Sequence, residues 1–251
     1  MNIIKIKLSV TNCYLVSSKN GYVLIDSGYD YEWELFKHKL AENGISMGQI
    51  SYIILTHHHD DHSGLLNNII SENKNIKIVM SVLAPALLAN GKNDRSKGGL
   101  INKRINFLTK FKILYLSIIL HKKIDKQNNL TFPPYYVRNN DILIKEDTKL
   151  KDIGIDIDGK IILTPGHSID SISIIFENGI SIVGDAAANF LRFAGTKYCV
   201  IFVRDLDEYY KSWEKIISEN AEKIYPAHGK MFKMEKLKKN IWKNKKENMV
   251  K

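Results

Sequence analysis

Six consecutive residues, His57-His58-His59-Asp60-Asp61-His62, constrain this chain more than any other segment. They crowd imidazoles and carboxylates into one short turn directly after the apolar run Tyr52-Ile53-Ile54-Leu55. An apolar strand that opens into such a cluster needs a partner that offsets desolvation and mutual crowding. A metal ion is the usual one, because neutral imidazole and carboxylate are good ligands for zinc and its neighbours.

At 251 residues the chain can bury a full core without staples, as one large domain or two small ones. Cys13 and Cys199 lie far apart in apolar surroundings and are expected as buried free thiols; the absence of a Cys-x-x-Cys pair excludes a zinc finger. Residues 1–8 alternate apolar with polar and lack the apolar core and cleavage site of a signal peptide, so a cytoplasmic protein is expected. The net charge of +10 is concentrated in two stretches. Residues 92–126 carry ten Lys/Arg against two Asp, and residues 230–251 nine Lys against two Glu, which leaves the remainder mildly acidic. Such basic segments can attract nucleic acid, phospholipid or an anionic substrate, or be solvated lysines.

Strands are predicted at Ile3–Val10, Cys13–Ser18 and Tyr22–Ile25, a helix over Tyr31–Asn43, and strand Tyr52–Leu55 leading into the His-rich turn. Helix Leu65–Glu72, strand Ile76–Met80 and helix Leu83–Asn90 follow. A long basic helix is predicted over residues 100–123; its apolar run Phe111–Leu120 is too short to cross a bilayer, so no transmembrane segment is expected. The second half resumes with strands at Ile142–Ile144, Leu150–Asp156, Lys160–Leu163, Ser171–Phe176 and Ile180–Val183. Helix Leu206–Asn220, strand Lys223–Tyr225 and a basic C-terminal helix complete it. The succession suggests two similar halves facing each other, with sheets covered by helices.

Ligand-type residues recur just after apolar strands: His167 in Thr164-Pro165-Gly166-His167-Ser168, Asp185 in Ile182-Val183-Gly184-Asp185, and His228 in Tyr225-Pro226-Ala227-His228-Gly229. Strand ends are where α/β scaffolds place functional groups. With a His-x-His-x-Asp-His run followed by separate His, Asp and His motifs in that order, the chain resembles the metallo-β-lactamase superfamily. The resemblance covers roughly residues 3–90 and 140–230. Asp26, in Leu24-Ile25-Asp26-Ser27-Gly28, matches the acidic residue that ends an early strand in that family.

The resemblance implies an α/β fold, a four-layer αββα sandwich of two mixed sheets with a helical insertion and the metals at one edge. It places the family-like domain at residues 1–230, the insertion at about 91–135, and a basic C-terminal helix or tail at 231–251. It also implies two divalent metal ions, zinc first, with iron or manganese as alternatives. His57, His59 and His167 would hold one metal and Asp61, His62 and His228 the other, with Asp185 bridging. Asp26 would orient a ligand histidine through a hydrogen bond. Two such ions roughly 3.5–4 Å apart can share a water and lower its pKa toward neutrality.

The expected activity is hydrolysis of a small ester, lactone, thioester or amide-like substrate by a metal-bound hydroxide, without a covalent intermediate, and with Asp61 essential. A nuclease or phosphodiesterase of the same fold is the second choice, motivated by the basic segments. A di-iron redox protein comes third, because such relatives usually carry an acid where this chain has His59. The oligomeric state is left open. The basic, apolar helix Ile101–Lys123 reads as a lid, a membrane-surface element, a dimer contact or a core-covering helix. As a lid it would favour a substrate with an apolar or anionic group.

His58 is expected to be structural, and His38 and His121 solvated. Asp60 is expected to cap the helix at Ser63 or to bond locally, with proton donation as the lesser reading. Tyr198 reads as a packing residue, and Phe190, Leu191, Arg192 and Phe193 as candidates to line a cleft. Gly64, Gly166 and Gly229 are predicted to permit tight turns around the ligands.

Overall fold

The computed structural model describes residues 1–110 and 131–251. Strands β1 (Ile3–Lys7), β2 (Asn12–Ser18), β3 (Gly21–Ile25), β4 (Ile50–Ile54), β5 (Lys77–Ser81) and β7 (Ile142–Ile144) lie in that order in one mixed sheet. The second sheet runs β14 (Phe232–Lys233), β13 (Lys223–Pro226), β11 (Ile180–Gly184), β10 (Ile172–Phe176), β9 (Gly159–Leu163) and β8 (Thr148–Lys149). A small ribbon pairs β6 (Gly99–Leu100) with β12 (Phe202–Val203).

Alternation along each strand separates three apolar layers, because successive side chains point to opposite faces. Tyr14, Val16, Ile25 and Ile54 of the first sheet meet Ile161, Ile172, Ile174 and Ile182 of the second. Their neighbours Cys13, Leu15, Leu24 and Ile53 face outward, onto helices α1 (Trp33–Glu42), α3 (Leu66–Glu72) and α4 (Ala84–Asn90), while the short α2 (Asp60–Ser63) lies within the His-rich turn. On the other side Ile162, Ile175, Val183 and Ile224 pack beneath helix α5 (Leu206–Ser218). Helix α5 buries Leu206, Tyr209, Tyr210, Trp213 and Ile216, one stripe at helical spacing. Its start is fixed by Asp205, whose side chain accepts from the Asp207 and Glu208 backbone N–H groups. The result is the expected αββα sandwich.

Three stretches differ from expectation. Leu150–Ile153 is a 3-10 turn rather than a strand, because Gly154 in the left-handed region ends it and Leu150 and Ile155 both turn into the inter-sheet core. The predicted helix at 100–123 begins with the β6 ribbon, and residues 103–110 are helical. Residues 111–123, including the apolar run and His121, lie outside the described residues. After His228 the chain adds β14 to the second sheet before helix α6 (Glu235–Asn240), and the Val250 backbone then pairs with Leu100. No helix of the described residues is long and apolar enough to cross a membrane.

What positions the site is strand direction. β3 and β4 are parallel in one sheet, and β11 and β13 in the other; β9 and β11 both run antiparallel to β10. The ends of β3, β4, β9, β11 and β13 therefore reach one edge, where hydrogen bonds stitch the two sheets together. Tyr14 Oη donates to the Pro226 carbonyl at 2.7 Å, and the Ile172 N–H to the Thr56 carbonyl at 2.9 Å.

Candidate metal centre

Each predicted ligand follows one of those strand ends, and all seven converge. His57 Nε2 and His59 Nδ1 lie 3.1 and 2.9 Å from His167 Nε2. Asp61 Oδ2 lies 3.6 Å from His62 Nε2 and 3.2 Å from His228 Nε2. Asp185 stands between the two groups. Its Oδ2 is 3.4 Å from His167, while its Oδ1 is 3.3 Å from His228 and 3.6 Å from His62. Three overlapping trios could each hold a cation: His57/His59/His167, His57/His62/Asp185 and Asp61/His62/His228.

Hydrogen bonds behind the rings decide which nitrogens face inward. His167 Nδ1 donates to the Phe202 carbonyl at 2.9 Å and His228 Nδ1 to the Val10 carbonyl at 3.1 Å. His62 Nδ1 lies 2.8 Å from Asp26 Oδ2. With the proton held on Nδ1, the Nε2 atoms present lone pairs to the cluster, the tautomer a metal needs. Asp26 also accepts from the Thr56 N–H and hydroxyl, both at 2.8 Å, and adopts φ 61°, a left-handed conformation that Asp tolerates better than most side chains. Thr11 donates to Asp61 Oδ2 at 2.8 Å.

Two backbone details make the convergence feasible. Gly184, at φ 50°, lets Asp185 turn inward where a Cβ would stand 2.5 Å from Thr56 Oγ1. Gly166, at φ 126°, lies against the Tyr209 backbone, 2.3 Å from any Cβ.

The electrostatics divide the site in two. Burial, aided by neighbouring imidazoles, holds His57 and His59 well below the usual histidine range, and burial also lowers His167. These three are neutral donors. Burial alone would lower His62 too, but Asp61, Asp26 and Asp185 push it up to about 9. His228 is likewise raised well above its ordinary value, its burial outweighed by Asp185 and Asp61. Burial opposes ionisation of Asp61 and Asp185 as well, yet the facing histidines keep both carboxyls below the usual range. This half of the site demands positive charge, from protons or from a cation that displaces them.

The donor set fits a divalent metal. His62 Nε2 and Asp185 Oδ1 are buried and find no hydrogen-bond partner among the described residues. Such orphaned polar atoms are rare and call for a ligand. All inward atoms are imidazole nitrogens or carboxylate oxygens, which suit zinc, iron or manganese. Cys199 lines the adjoining cleft but does not join them, its sulfur engaged by Tyr210 and Asn244 at 3.6 and 3.2 Å.

The cleft, of about 190 Å³, opens beside Asp61, Asp185 and His228. Of the four candidates after Asp185, only Phe190 lines it, its ring 6.5 Å from that of His228. Leu191 packs on the core, Arg192 donates to Tyr198 Oη at 2.6 Å, and Phe193 points outward, 77% exposed. Tyr198 packs against Phe232, and His38 pairs with Glu42 on the exposed face of α1.

His58 turns away from the cluster. Its Nδ1 and backbone N–H both meet the Asp170 carboxylate, at 2.9 and 2.8 Å, with both side chains fully buried. Asp60 does not cap the helix at Ser63, whose N–H bonds to the His59 carbonyl instead. It accepts from the Asp61 N–H and from Asn93, and burial beside Asp61 raises its carboxyl to about 6. Sequence reasoning missed Thr11, Asn93 and Asp170. Only Asp170 left a signal, three residues beyond His167.

The metallo-β-lactamase superfamily model matches residues 6–228. The chain belongs to that superfamily. A relative in Methanocaldococcus jannaschii, described as probable metallo-hydrolase MJ0888, is 29% identical over 225 residues, 88% of each chain. The beta-lactamase-like protein 2 homolog of Caenorhabditis elegans is 25% identical over 88% of this chain, which spans 57% of that protein's length. Among solved structures, the subclass B3 metallo-β-lactamase BJP-1 of Bradyrhizobium japonicum shares the fold with a TM-score of 0.58 at 20% identity, over 90% of this chain and 75% of that one. A metallo-β-lactamase of Cronobacter sakazakii aligns with a TM-score of 0.59 at 18% identity, over 90% and 77%. Superfamily membership and the clustered donors agree on a metal-dependent hydrolase.

Proposed function

We propose that this protein is a dinuclear metal hydrolase that cleaves a small ester, lactone, thioester or amide-like substrate with an activated water. The observation that carries the reading is Asp185, whose two carboxylate oxygens face different groups of histidines, His167 on one side and His62 with His228 on the other. In this reading His57, His59 and His167 hold one divalent ion, and Asp61, His62 and His228 the second. Such a pair, when bound, acidifies a shared water and polarises the scissile carbonyl.

The residues of the chain supply the rest. Asp26 and the carbonyls of Val10 and Phe202 fix the ligand rings. Thr11 holds the Asp61 carboxylate in place. Asp60 lines the cleft, its Oδ1 accepting from Asn93 and from the Asp61 N–H. Val10, Tyr29, Phe190 and Val200 give the cleft a largely apolar wall.

The test combines metal analysis of the purified protein with a panel of chromogenic esters, lactones, thioesters and phosphodiesters on zinc-, manganese- and iron-loaded samples. About two metals per chain with carbonyl-substrate turnover supports the reading. Two irons with oxygen or nitric oxide reduction overturns it. So does phosphodiester turnover that falls steeply with salt, as counterion release requires.

A further inference from the structure

The two residues of the His-rich turn outside the proposed metal-ligand set share a task. His58 Nε2 accepts the backbone N–H of Asp94 at 3.0 Å, which places the ring proton on Nδ1, toward Asp170. Asp60 and Asn93 exchange two hydrogen bonds: the Asp60 N–H donates to Asn93 Oδ1 at 2.8 Å, and Asn93 Nδ2 to Asp60 Oδ1 at 2.7 Å. Residues 93 and 94 are thereby fastened to the turn that carries His57, His59, Asp61 and His62. The next residue is Arg95.

Arg95 lines the same cleft as His59, Asp61 and His167. Its guanidinium carbon stands 5.0 Å from the centroid of the Phe202 ring. Among the described residues no carboxylate forms an ion pair with it. A guanidinium stacked on an aromatic face keeps its edge donors free, and that edge matches the paired oxygens of a carboxylate or phosphate. The stacking partner is itself tied to the metal centre, since the Phe202 carbonyl accepts from His167 Nδ1. Among the described residues Arg95 thus stands in the cleft without an ion pair, beside apolar wall residues and within the field of Asp60 and Asp61.

We propose that Arg95 is a specificity-determining residue that binds an oxyanion, carboxylate or phosphate, carried by the substrate beside its scissile carbonyl. This rests on the hydrolase reading for the bond cleaved, but not for the binding itself. Asn93, through Asp60, and His58, through the Asp94 backbone, act as positioning residues for the guanidinium.

The test uses ligands that cannot be hydrolysed, on zinc-loaded protein: 4-acetylbenzoate, 4-acetylphenylphosphonate and the neutral isostere 4-acetylbenzamide, titrated by calorimetry. At least one anion should bind roughly tenfold or more tighter than the amide, as a charge-assisted pair requires. Arg95→Gln should bring that ratio close to one, and Arg95→Lys, which keeps the charge but loses the fork, should fall between. Asn93→Ala should lower the ratio although the guanidinium is retained. The same ratio in wild type and Arg95→Gln overturns the proposal, because the bound zinc would then account for the preference. A wild-type ratio near one, or no saturable binding of either anion, also overturns it. Intact discrimination in a protein inactive on the chromogenic panel would sink the hydrolase reading and leave the receptor; the converse result would do the reverse.

Discussion

Asp26 Oδ2 lies 2.8 Å from His62 Nδ1, and the same oxygen accepts the Thr56 hydroxyl at an equal distance. One carboxylate at the end of β3 therefore fixes a ligand ring and the strand end that precedes the His-rich turn. Its positive φ of 61° shows that the backbone departs from its usual conformation there.

Replacing Asp26 with Asn removes the charge behind His62 while keeping an acceptor for Thr56. Metal affinity should fall roughly ten- to a hundredfold, as is typical for partners behind ligand histidines. Competition with a fluorescent chelator measures it; affinity unchanged within twofold would contradict this role.

Metal uptake should release protons. His62 is raised to about 9, so at neutral pH its proton competes with a cation for Nε2. Affinity at the Asp61/His62/His228 trio should rise with pH through about 9, with His228, also raised, losing a second proton. Calorimetry in buffers of different ionisation enthalpy gives the proton count. A pH-independent affinity with no protons released would refute the assignment.

Asp61→Ala should reduce turnover below detection, because it removes an oxygen that faces both His62 and His228. The far-UV circular dichroism spectrum should stay native. Near-normal activity in this variant would refute a role for the second trio.

His58→Ala should act on stability first. It strips a fully buried Asp170 of its ring N–H donor, a type of loss that costs roughly 1–3 kcal/mol. Urea unfolding of chelator-treated protein reads the effect without metal linkage. A cost under about 1 kcal/mol would mean the pair is dispensable.

Trp213 anchors helix α5, fully buried, with its indole N–H donating to the Ala186 carbonyl one residue beyond Asp185. Trp213→Ala should cost roughly 3–5 kcal/mol by opening a cavity. Because the indole also holds the Asp185 loop, metal affinity should fall in the same variant. Chelator competition on the folded fraction checks this.

The clustered donors were legible because each lies just beyond a strand end, and a strand end places a residue from local sequence alone. His57, His59, Asp61 and His62 share one turn, while His167, Asp185 and His228 each follow an apolar run that reads as a strand. The strand period sorts the layers once the sheets form, since Cys13 and Leu15 face helices while Tyr14 and Val16 face the other sheet. Leu150–Ile153 misled because its apolar residues satisfy a strand pattern, whereas the backbone is decided by a glycine beyond them.

The linear chain by itself determined the order of elements and which atoms are available as metal donors. Asp26 apart, the tertiary structure decided which polar groups stand behind them. Thr11 reaches Asp61 across 50 residues of sequence, and His58 reaches Asp170 across 112. Thr11 carries no local pattern, and Asp170 only its place three residues beyond His167. Such pairs form because a buried polar group must find a partner wherever packing brings one within hydrogen-bond distance, and that proximity is a property of two sheets meeting rather than of any segment.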